Sequence, residues 1–434
     1  MNENTKLIEE LREAVAGPVF GPDEAGYAAE TGAHNLAVEV RPALVVGALD
    51  GRDAAAAVRF AAGRGLSVAV QSTGHGAVPG HADGTLLINT GRLRELSVDA
   101  EARTARIGAG NRWADVLAAT APHGLLPLAG SAPGVGVVGY LLGGGLSPLG
   151  RAFGFAADHV RAFELVTADG GIRRVEAERE PDLFWALRGG GGGLGVVTAV
   201  EIDLFPVPHL YAGAVYFPGE RAADVLHAYR AWQEALPEAA CASVALLNLP
   251  PLPHLPEPLR GRFTVAVRFA YPHGPEEGAR LLAPMLTAAE PIMEAVGELP
   301  LDALGMIHSD PADPMPIWEH GDLLDDLPAE AVDALLASLT PEQAPLVLEL
   351  RALGGAFSRP ARHPNALDTR DAAHTLLAVN PFPIGLAPFE ALRPWLRGAG
   401  LPTLRGANPI ARDPETAARL AAIKSAYDPT ALFR

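Results

Sequence analysis

The sequence contains a single cysteine, Cys241, among its 434 residues. One cysteine excludes an internal disulfide and any metal site built from several thiolates. Positive charge is also scarce, because 34 Lys and Arg stand against 51 Asp and Glu and give a formal net charge of −17. Nucleic acids and anionic membrane surfaces repel such a polyanion, so we expect neither as a partner.

Long apolar runs are missing as well, and none approaches the roughly 18 residues that a membrane-spanning helix needs. Met1 to Arg12 alternates charged and apolar residues, which predicts an amphipathic helix rather than a signal peptide. We therefore expect a cytoplasmic protein. Hydrophobic residues make up 49% of the chain, enough for a large core, and the length favours two domains.

Glycine is plentiful, and its clusters lie mostly in the first half of the chain. Gln71 to Gly76 forms a turn of small residues that ends in a histidine and directly follows the strand-like run Leu66 to Val70. Glycine and short hydroxyl residues let backbone N–H groups approach a phosphate closely. Further clusters at Gly130 to Gly145 and Gly189 to Gly195 indicate loops packed along an extended ligand.

Two other interpretations of these loops are weaker. Gly134 to Gly139 matches G-x-G-x-x-G, but Pro133 precedes it where a dinucleotide-binding site would have a strand. His75, His81 and Asp83 are suitable ligands for zinc or iron, yet a metal would not explain the surrounding glycines. We predict no metal.

The pattern of elements predicts an α+β fold in two parts. A strand–helix–strand unit and the hairpin signal Ala168-Asp169-Gly170-Gly171 belong to the first part, which stops near Pro206-Val207-Pro208. After that point, strand-like runs alternate with helical ones and indicate an antiparallel sheet covered by helices. We place the domains at 37–208 and 209–399, with 1–36 and 400–434 packing on the first.

Several ordered motifs resemble the FAD-binding, PCMH-type domain of the vanillyl-alcohol-oxidase/PCMH superfamily, and the berberine-bridge-enzyme-like oxidases in particular. The resemblance extends over nearly the whole chain. It rests on Ser72-Thr73-Gly74-His75, Gly80-His81-Ala82-Asp83-Gly84, Val135 to Gly145, Gly154 to His159, Asp182 to Gly191, Gly195-Val196-Val197-Thr198, Leu353 to Ala356 and Lys424 to Phe433.

The resemblance implies an FAD held through an 8α-histidyl bond to His75. Relatives with a second, cysteinyl bond have a cysteine where this chain has Ala132, so that bond is not expected. The FAD-binding domain is implied to consist of two α/β subdomains. The positions that match the family's cofactor loops are Ser72, Thr73, Gly74, His75, Gly76, Gly80, His81, Gly134, Val135, Gly136, Gly139, Gly143, Gly144, Gly195 and Val197.

The implied activity is hydride transfer from a small organic molecule, such as a secondary metabolite, to the flavin, with O2 as acceptor. The family's Y-x-N tyrosine is missing, since Gly406-Ala407-Asn408 stands there. As catalytic candidates we take Tyr140, Arg370 and Asp368. The alternative is a non-redox cyclisation or isomerisation on the same scaffold. The protein is expected to be a monomer or homodimer.

Overall fold

The computed structural model describes residues 3–76, 84–340, 344–398, 400–404 and 411–434. The strands of these residues, in chain order, are β1 (Val19–Phe20), β2 (Leu44–Gly47), β3 (Ser67–Gln71), β4 (Thr85–Asn89), β5 (Leu96–Asp99), β6 (Thr104–Gly108), β7 (Leu125–Leu126), β8 (Val160–Val166), β9 (Ile172–Val175), β10 (Val196–Asp203), β11 (Phe205–Pro206), β12 (Tyr211–Pro218), β13 (Cys241–Asn248), β14 (Phe263–Tyr271), β15 (Met293–Glu298), β16 (Trp318–Leu324), β17 (Val347–Ala352) and β18 (His374–Asn380).

The α-helices of the same residues are α1 (Glu3–Ala14), α2 (Tyr27–Thr31), α3 (Gly51–Arg64), α4 (Trp113–Thr120), α5 (Val137–Leu142), α6 (Gly150–Phe153), α7 (Pro181–Leu187), α8 (Ala222–Glu234), α9 (Pro275–Leu286), α10 (Ala329–Ala337), α11 (Ala387–Leu392) and α12 (Pro414–Tyr427). Of the helices described, none is both long and apolar enough to cross a lipid bilayer.

The first sheet has the order β1-β2-β4-β3, in which β2, β4 and β3 run parallel. Helix α3 connects β2 to β3, and it begins where the Asp50 side chain accepts hydrogen bonds from the first backbone N–H groups. Strand β3 has only β4 beside it within the sheet. Its free edge is covered by the distant segment at Leu432 to Arg434, which exchanges backbone hydrogen bonds with Val68.

The second sheet is antiparallel, with the order β5-β6-β10-β8-β9. Alternate residues of its strands point into a core shared with α4, α5 and α7. Trp113 and Phe163 lie at the centre of this core and are at most 1% exposed. The core fixes α5, and with it the glycine-rich segment that precedes this helix.

The third sheet is a seven-stranded antiparallel sheet with the order β15-β12-β14-β13-β17-β18-β16. One of its faces packs against α8, α9, α10 and α11 through an apolar core that includes Val244, Val267 and Leu350. The residues at alternating positions point to the opposite face, which turns toward the first part of the chain. The predicted antiparallel sheet with helices over one face is confirmed.

The chain passes from the second sheet to the third between Asp203 and Tyr211, through β11, which pairs with β7. Contacts also join the two parts near the predicted cofactor loops: the Asn35 side-chain amide donates to the Ile317 carbonyl at 2.9 Å, and the backbone groups of His34 and Met315 are hydrogen bonded. The domain division at residue 208 remains our proposal.

Candidate cofactor site

The turn that follows β3 is built on a glycine that no other residue could replace without strain. Gly74 has a φ of +71°, and a Cβ atom there would lie 2.5 Å from the Cα of Ala33. The segment beside it is held by two backbone hydrogen bonds, in which the Thr73 and Gly74 carbonyls accept from the N–H groups of His34 and Asn35. The turn therefore holds His75 in a fixed position.

His75 is half-buried, and its ring makes two defined contacts. The Nδ1 atom lies 2.8 Å from the Thr73 hydroxyl, and the His34 ring stacks on the imidazole with 3.7 Å between centroids. Burial, together with the nearby His34 and Arg112, lowers the pKa of His75 to about 3. The imidazole is therefore neutral at pH 7, and no other described residue hydrogen-bonds its Nε2.

The glycine-rich segment before α5 lies directly against this turn. A Cβ atom at Gly134 would be 3.7 Å from Nε2 of His75, and one at Gly136 would be 3.5 Å from the Ser72 hydroxyl. The segment is anchored on its other side, where the Val135 carbonyl accepts from the Trp113 N–H. The structure thus brings together two loops that are far apart in the sequence.

The two loops border open space of the kind that a bound cofactor needs. Gly139 is exposed although both of its neighbours in α5 are buried, and a Cβ atom placed on Gly139 or on Gly76 would meet nothing within 4 Å. An open cradle beside a neutral imidazole fits FAD. Gly80 and His81, together with Asp83 of the alternative metal site, lie outside the described residues.

Other predicted cofactor residues pack against protein. Gly144 needs its φ of +101° and adjoins Leu367, and a Cβ atom at Gly143 would lie 3.2 Å from Thr403. Gly195 passes so close to β8 that a Cβ atom would lie 2.4 Å from the Val166 carbonyl oxygen, and Val197 is 3% exposed. These positions shape the loops by close packing, and their part in cofactor contact stays a prediction.

Tyr140 lies inside α5 with its ring against Trp113. Its hydroxyl donates to the Leu128 carbonyl at 3.1 Å, and burial raises the pKa of the phenol. The residue is 8% exposed. This geometry favours a packing role, and the catalytic role of Tyr140 stays a prediction.

Arg370 and Asp368 lie on a segment that adjoins the glycine clusters, yet both side chains are engaged elsewhere. Arg370 donates to the Asp158 carboxylate at 3.0 Å and also to backbone carbonyls. Asp368 accepts from the Asp413 N–H at 3.0 Å and so anchors the start of α12, and burial raises its pKa. Neither side chain contacts the His75 turn in the described part of the chain, so their catalytic role stays a prediction.

A buried ionic cluster in the third sheet was not predicted. The Glu349 carboxylate accepts from Arg268 at 2.7 Å, from Arg351 at 2.9 Å and from the Ser243 hydroxyl at 2.6 Å, and His308 lies 3.1 Å away. Burial alone would raise the pKa of Glu349, but Arg351 and Arg268 hold it well below its ordinary value. A signal was available: Glu349 and Arg351 alternate with leucine in a strand-like run, which marks a polar face inside the protein.

A groove of about 650 Å³ opens in a different place, between β8, β9 and the segment around residues 359–363. Charged side chains line much of it, among them Arg161, Glu176 and Asp203. No residue of the His75 turn or of the segment before α5 contributes to it. This groove is therefore separate from the candidate cofactor site.

Residues 42–176 match the protein family described as FAD binding domain. The chain is 40% identical over 181 residues to FAD-dependent monooxygenase FUP4 of Fusarium proliferatum (strain ET1), covering 41% of this chain and 35% of that protein. It is 34% identical over 207 residues to (R)-6-hydroxynicotine oxidase of Paenarthrobacter nicotinovorans, covering 47% of this chain and 44% of that protein. The matched regions thus span less than half of these curated relatives.

Solved structures resemble the whole fold. BBE-like 1 of Physcomitrella patens superposes with a TM-score of 0.86 at 19% identity, covering 100% of this chain and 98% of that one. The 6-hydroxy-D-nicotine oxidase of Arthrobacter nicotinovorans superposes with a TM-score of 0.82 at 24% identity, and the match covers 97% of each chain. Residues 42–176 of the chain therefore match an FAD-binding domain, and the whole fold is that of BBE-like 1 and of 6-hydroxy-D-nicotine oxidase, as its motifs indicate.

Proposed function

We propose that this protein is an FAD-dependent oxidoreductase that oxidises a small organic molecule, such as a secondary metabolite, and uses O2 as acceptor. The observation that carries the proposal is the pair of loops that enclose a neutral His75 beside open space. The names of the relatives support it, since both a nicotine oxidase and a chitooligosaccharide oxidase are among the similar proteins.

FAD, when bound, accepts a hydride from a substrate carbon and passes the electrons on. The chain's own task is to hold and orient it. A neutral imidazole has a nucleophilic lone pair, and Thr73 contacts the ring at Nδ1; both features support an 8α-histidyl bond at His75. Gly134 and Gly136 have no side chains, so the segment before α5 can lie close to that ring and to Ser72.

A single covalent bond is proposed. Ala132 has no nucleophile, and Cys241 is a buried residue of β13. Burial raises the pKa of the Cys241 thiol to about 11, so it is not a thiolate at neutral pH.

The covalent bond is tested by acid precipitation. Flavin should stay with the precipitated wild-type protein, whereas His75→Ala should release it to the supernatant. His123→Ala, at an exposed histidine of the same domain, is the matched control and should keep its flavin. Loss of all flavin from the wild-type precipitate would contradict the histidyl bond.

The redox activity is tested anaerobically with a panel of small organic substrates. Bleaching of the flavin absorbance by one of them, followed by recovery and peroxide formation on admitting air, would support oxidase turnover. Product formed without bleaching or peroxide would instead show the non-redox alternative.

A further inference from the structure

One row of polar side chains crosses three neighbouring strands of the third sheet, on the face away from the helices. Ser243 of β13 is paired with Arg268 of β14 on one side and with Arg351 of β17 on the other. Glu349 stands two positions before Arg351 and so shares this face. His308 completes the cluster from the segment that follows the third sheet's edge strand β15.

The cluster carries more positive than negative charge. Arg268 and Arg351 are cations, Glu349 is an anion, and burial together with Arg268 lowers the pKa of His308, which keeps it neutral. The side chains of these four residues are at most 8% exposed. A buried, uncompensated charge is costly to a folded protein unless a counter-ion accompanies it.

Charges just beyond the cluster do not remove the imbalance. Arg151 lies beside the cluster, and the negative charge of Asp310 raises the pKa of Arg268. Asp310 is itself hydrogen bonded by the Ser131 hydroxyl at 2.7 Å. Three guanidinium groups thus face two carboxylates.

Polar groups of the cluster also lack partners. The Nε–H groups of Arg268 and Arg351 are buried and have no acceptor among the residues that the structure describes, and Nδ1 of His308 is likewise unpartnered. A buried donor without an acceptor costs about 1–3 kcal/mol. Two unsatisfied cationic donors in one cluster indicate that a further acceptor with negative charge belongs beside them.

A cavity of about 20 Å³ is bordered by all three of these residues. This space holds about one water-sized group. Its remaining wall includes Ser147 and Pro148, which follow the glycine-rich segment of the cofactor loops. The cavity therefore lies between the third sheet and the part of the chain that is proposed to bind FAD.

We propose that this cavity binds one monovalent anionic group of oxygen or halide size. The group is either one oxygen of a substrate carboxylate, which would make the substrate class carboxylic acids, or a free inorganic anion such as chloride. The substrate-carboxylate alternative rests on the proposed function, whereas the binding of an anion in this cavity does not.

Bromide is the direct probe, because its anomalous scattering locates it in crystals of the purified protein. We expect a peak beside Arg268, His308 and Arg351, with an occupancy that rises with bromide concentration. Arg351→Met should weaken bromide binding at least about tenfold, the equivalent of one charge-assisted hydrogen bond. Arg161→Met, which removes a partner of the exposed ion pair with Asp203, is the control and should leave the peak unchanged.

Glu349→Gln provides the opposite test with a nearly isosteric side chain. It removes the one carboxylate of the cluster, so bromide should bind more tightly than in the wild type. A wild-type cavity that holds only water at saturating bromide, or a Glu349→Gln protein that binds bromide no better, would overturn the proposal even if the flavin and its turnover are intact.

Formate distinguishes the two sources. The first outcome has two parts: formate displaces bromide, and bromide competitively inhibits the turnover of a carboxylate substrate but not of its methyl ester. This outcome would assign the site to the substrate's carboxylate. If bromide remains in place in the presence of formate, the site belongs to a free inorganic anion. Loss of flavin or of redox turnover would count against the proposed function alone.

Discussion

The imidazole rings of His34 and His75 stack face to face, with centroids 3.7 Å apart and planes 11° from parallel. Second protons on both rings would place like charges in contact, and Arg112 adds a further positive charge beside both. Burial acts in the same direction and lowers the pKa of each ring. The stacked pair therefore keeps His75 in the uncharged form that a covalent bond to a cofactor requires.

Thr73→Val should reduce the fraction of protein that carries covalent flavin, because the nearly isosteric valine cannot hold Nδ1 of His75. The measurement is flavin absorbance of acid-precipitated protein, normalised to protein. Thr287→Val removes an exposed hydroxyl in another part of the chain and should have no effect. An unchanged covalent fraction in Thr73→Val would show that the turn alone orients the ring.

Gly139→Ala should lower FAD binding without destabilising the protein, because the added methyl group enters the open space and meets no protein atom. Alanine also favours a helix over glycine by about 1 kcal/mol. FAD binding is measured by titrating protein freed of flavin, prepared in a His75→Ala background. Gly63→Ala, at an exposed position of α3, is the control. Equal affinities in both variants would remove Gly139 from the cradle.

Tyr140→Phe should keep its flavin and its turnover, since the phenol donates to the Leu128 carbonyl and does not face the His75 turn. The loss of this buried hydrogen bond should lower the free energy of unfolding by about 1 kcal/mol, as measured by urea denaturation. A large loss of turnover with unchanged stability would restore Tyr140 as a catalytic residue.

His374 should make the protein sensitive to acid. Burial lowers its pKa to about 4, and neither ring nitrogen has a partner within the described segments. The unfolded chain binds a proton below about pH 6.5, whereas the folded state binds it only near pH 4, so stability falls as the pH drops through this window. The loss is on the order of 3 kcal/mol.

The acid effect is measured by urea denaturation at several pH values. His374→Leu cannot titrate and should show a shallower decline from pH 7 to pH 4.5 than the wild type. Identical pH profiles for the two proteins would show that His374 is protonated equally in both states.

Local patterns were sufficient for many elements of the fold. Helix Trp113–Thr120 and strand Phe263–Tyr271 have the bounds that apolar periodicity and flanking Pro and Gly predict. Strand Met293–Glu298 was not predicted, because it is a partly exposed edge strand that contains a glycine and two glutamates. This segment is a strand because its backbone pairs with β12, although its own sequence has no strand-like pattern.

Local sequence likewise predicts some parts of the candidate site and not others. The turn at His75 and the segment before α5 have local signatures, so they were found. The alternation of Glu349 and Arg351 with leucine marks a polar face, but the residues that meet there are set by the register of three strands, which no local pattern contains. The catalytic role of Tyr140 stays a prediction, since a position inside a cofactor motif does not reveal which way its side chain points.

The backbone contact between Val68 and the segment around Phe433 joins the strand before the His75 turn to residues that are synthesised much later. The strand that leads into the His75 turn has an exposed edge until residues made far later on the ribosome add to it. A nascent chain that already contains both cofactor loops would therefore still present an unpaired strand next to them. Closure of this edge beside the His75 turn is thus expected only after the segment around Phe433 has been made.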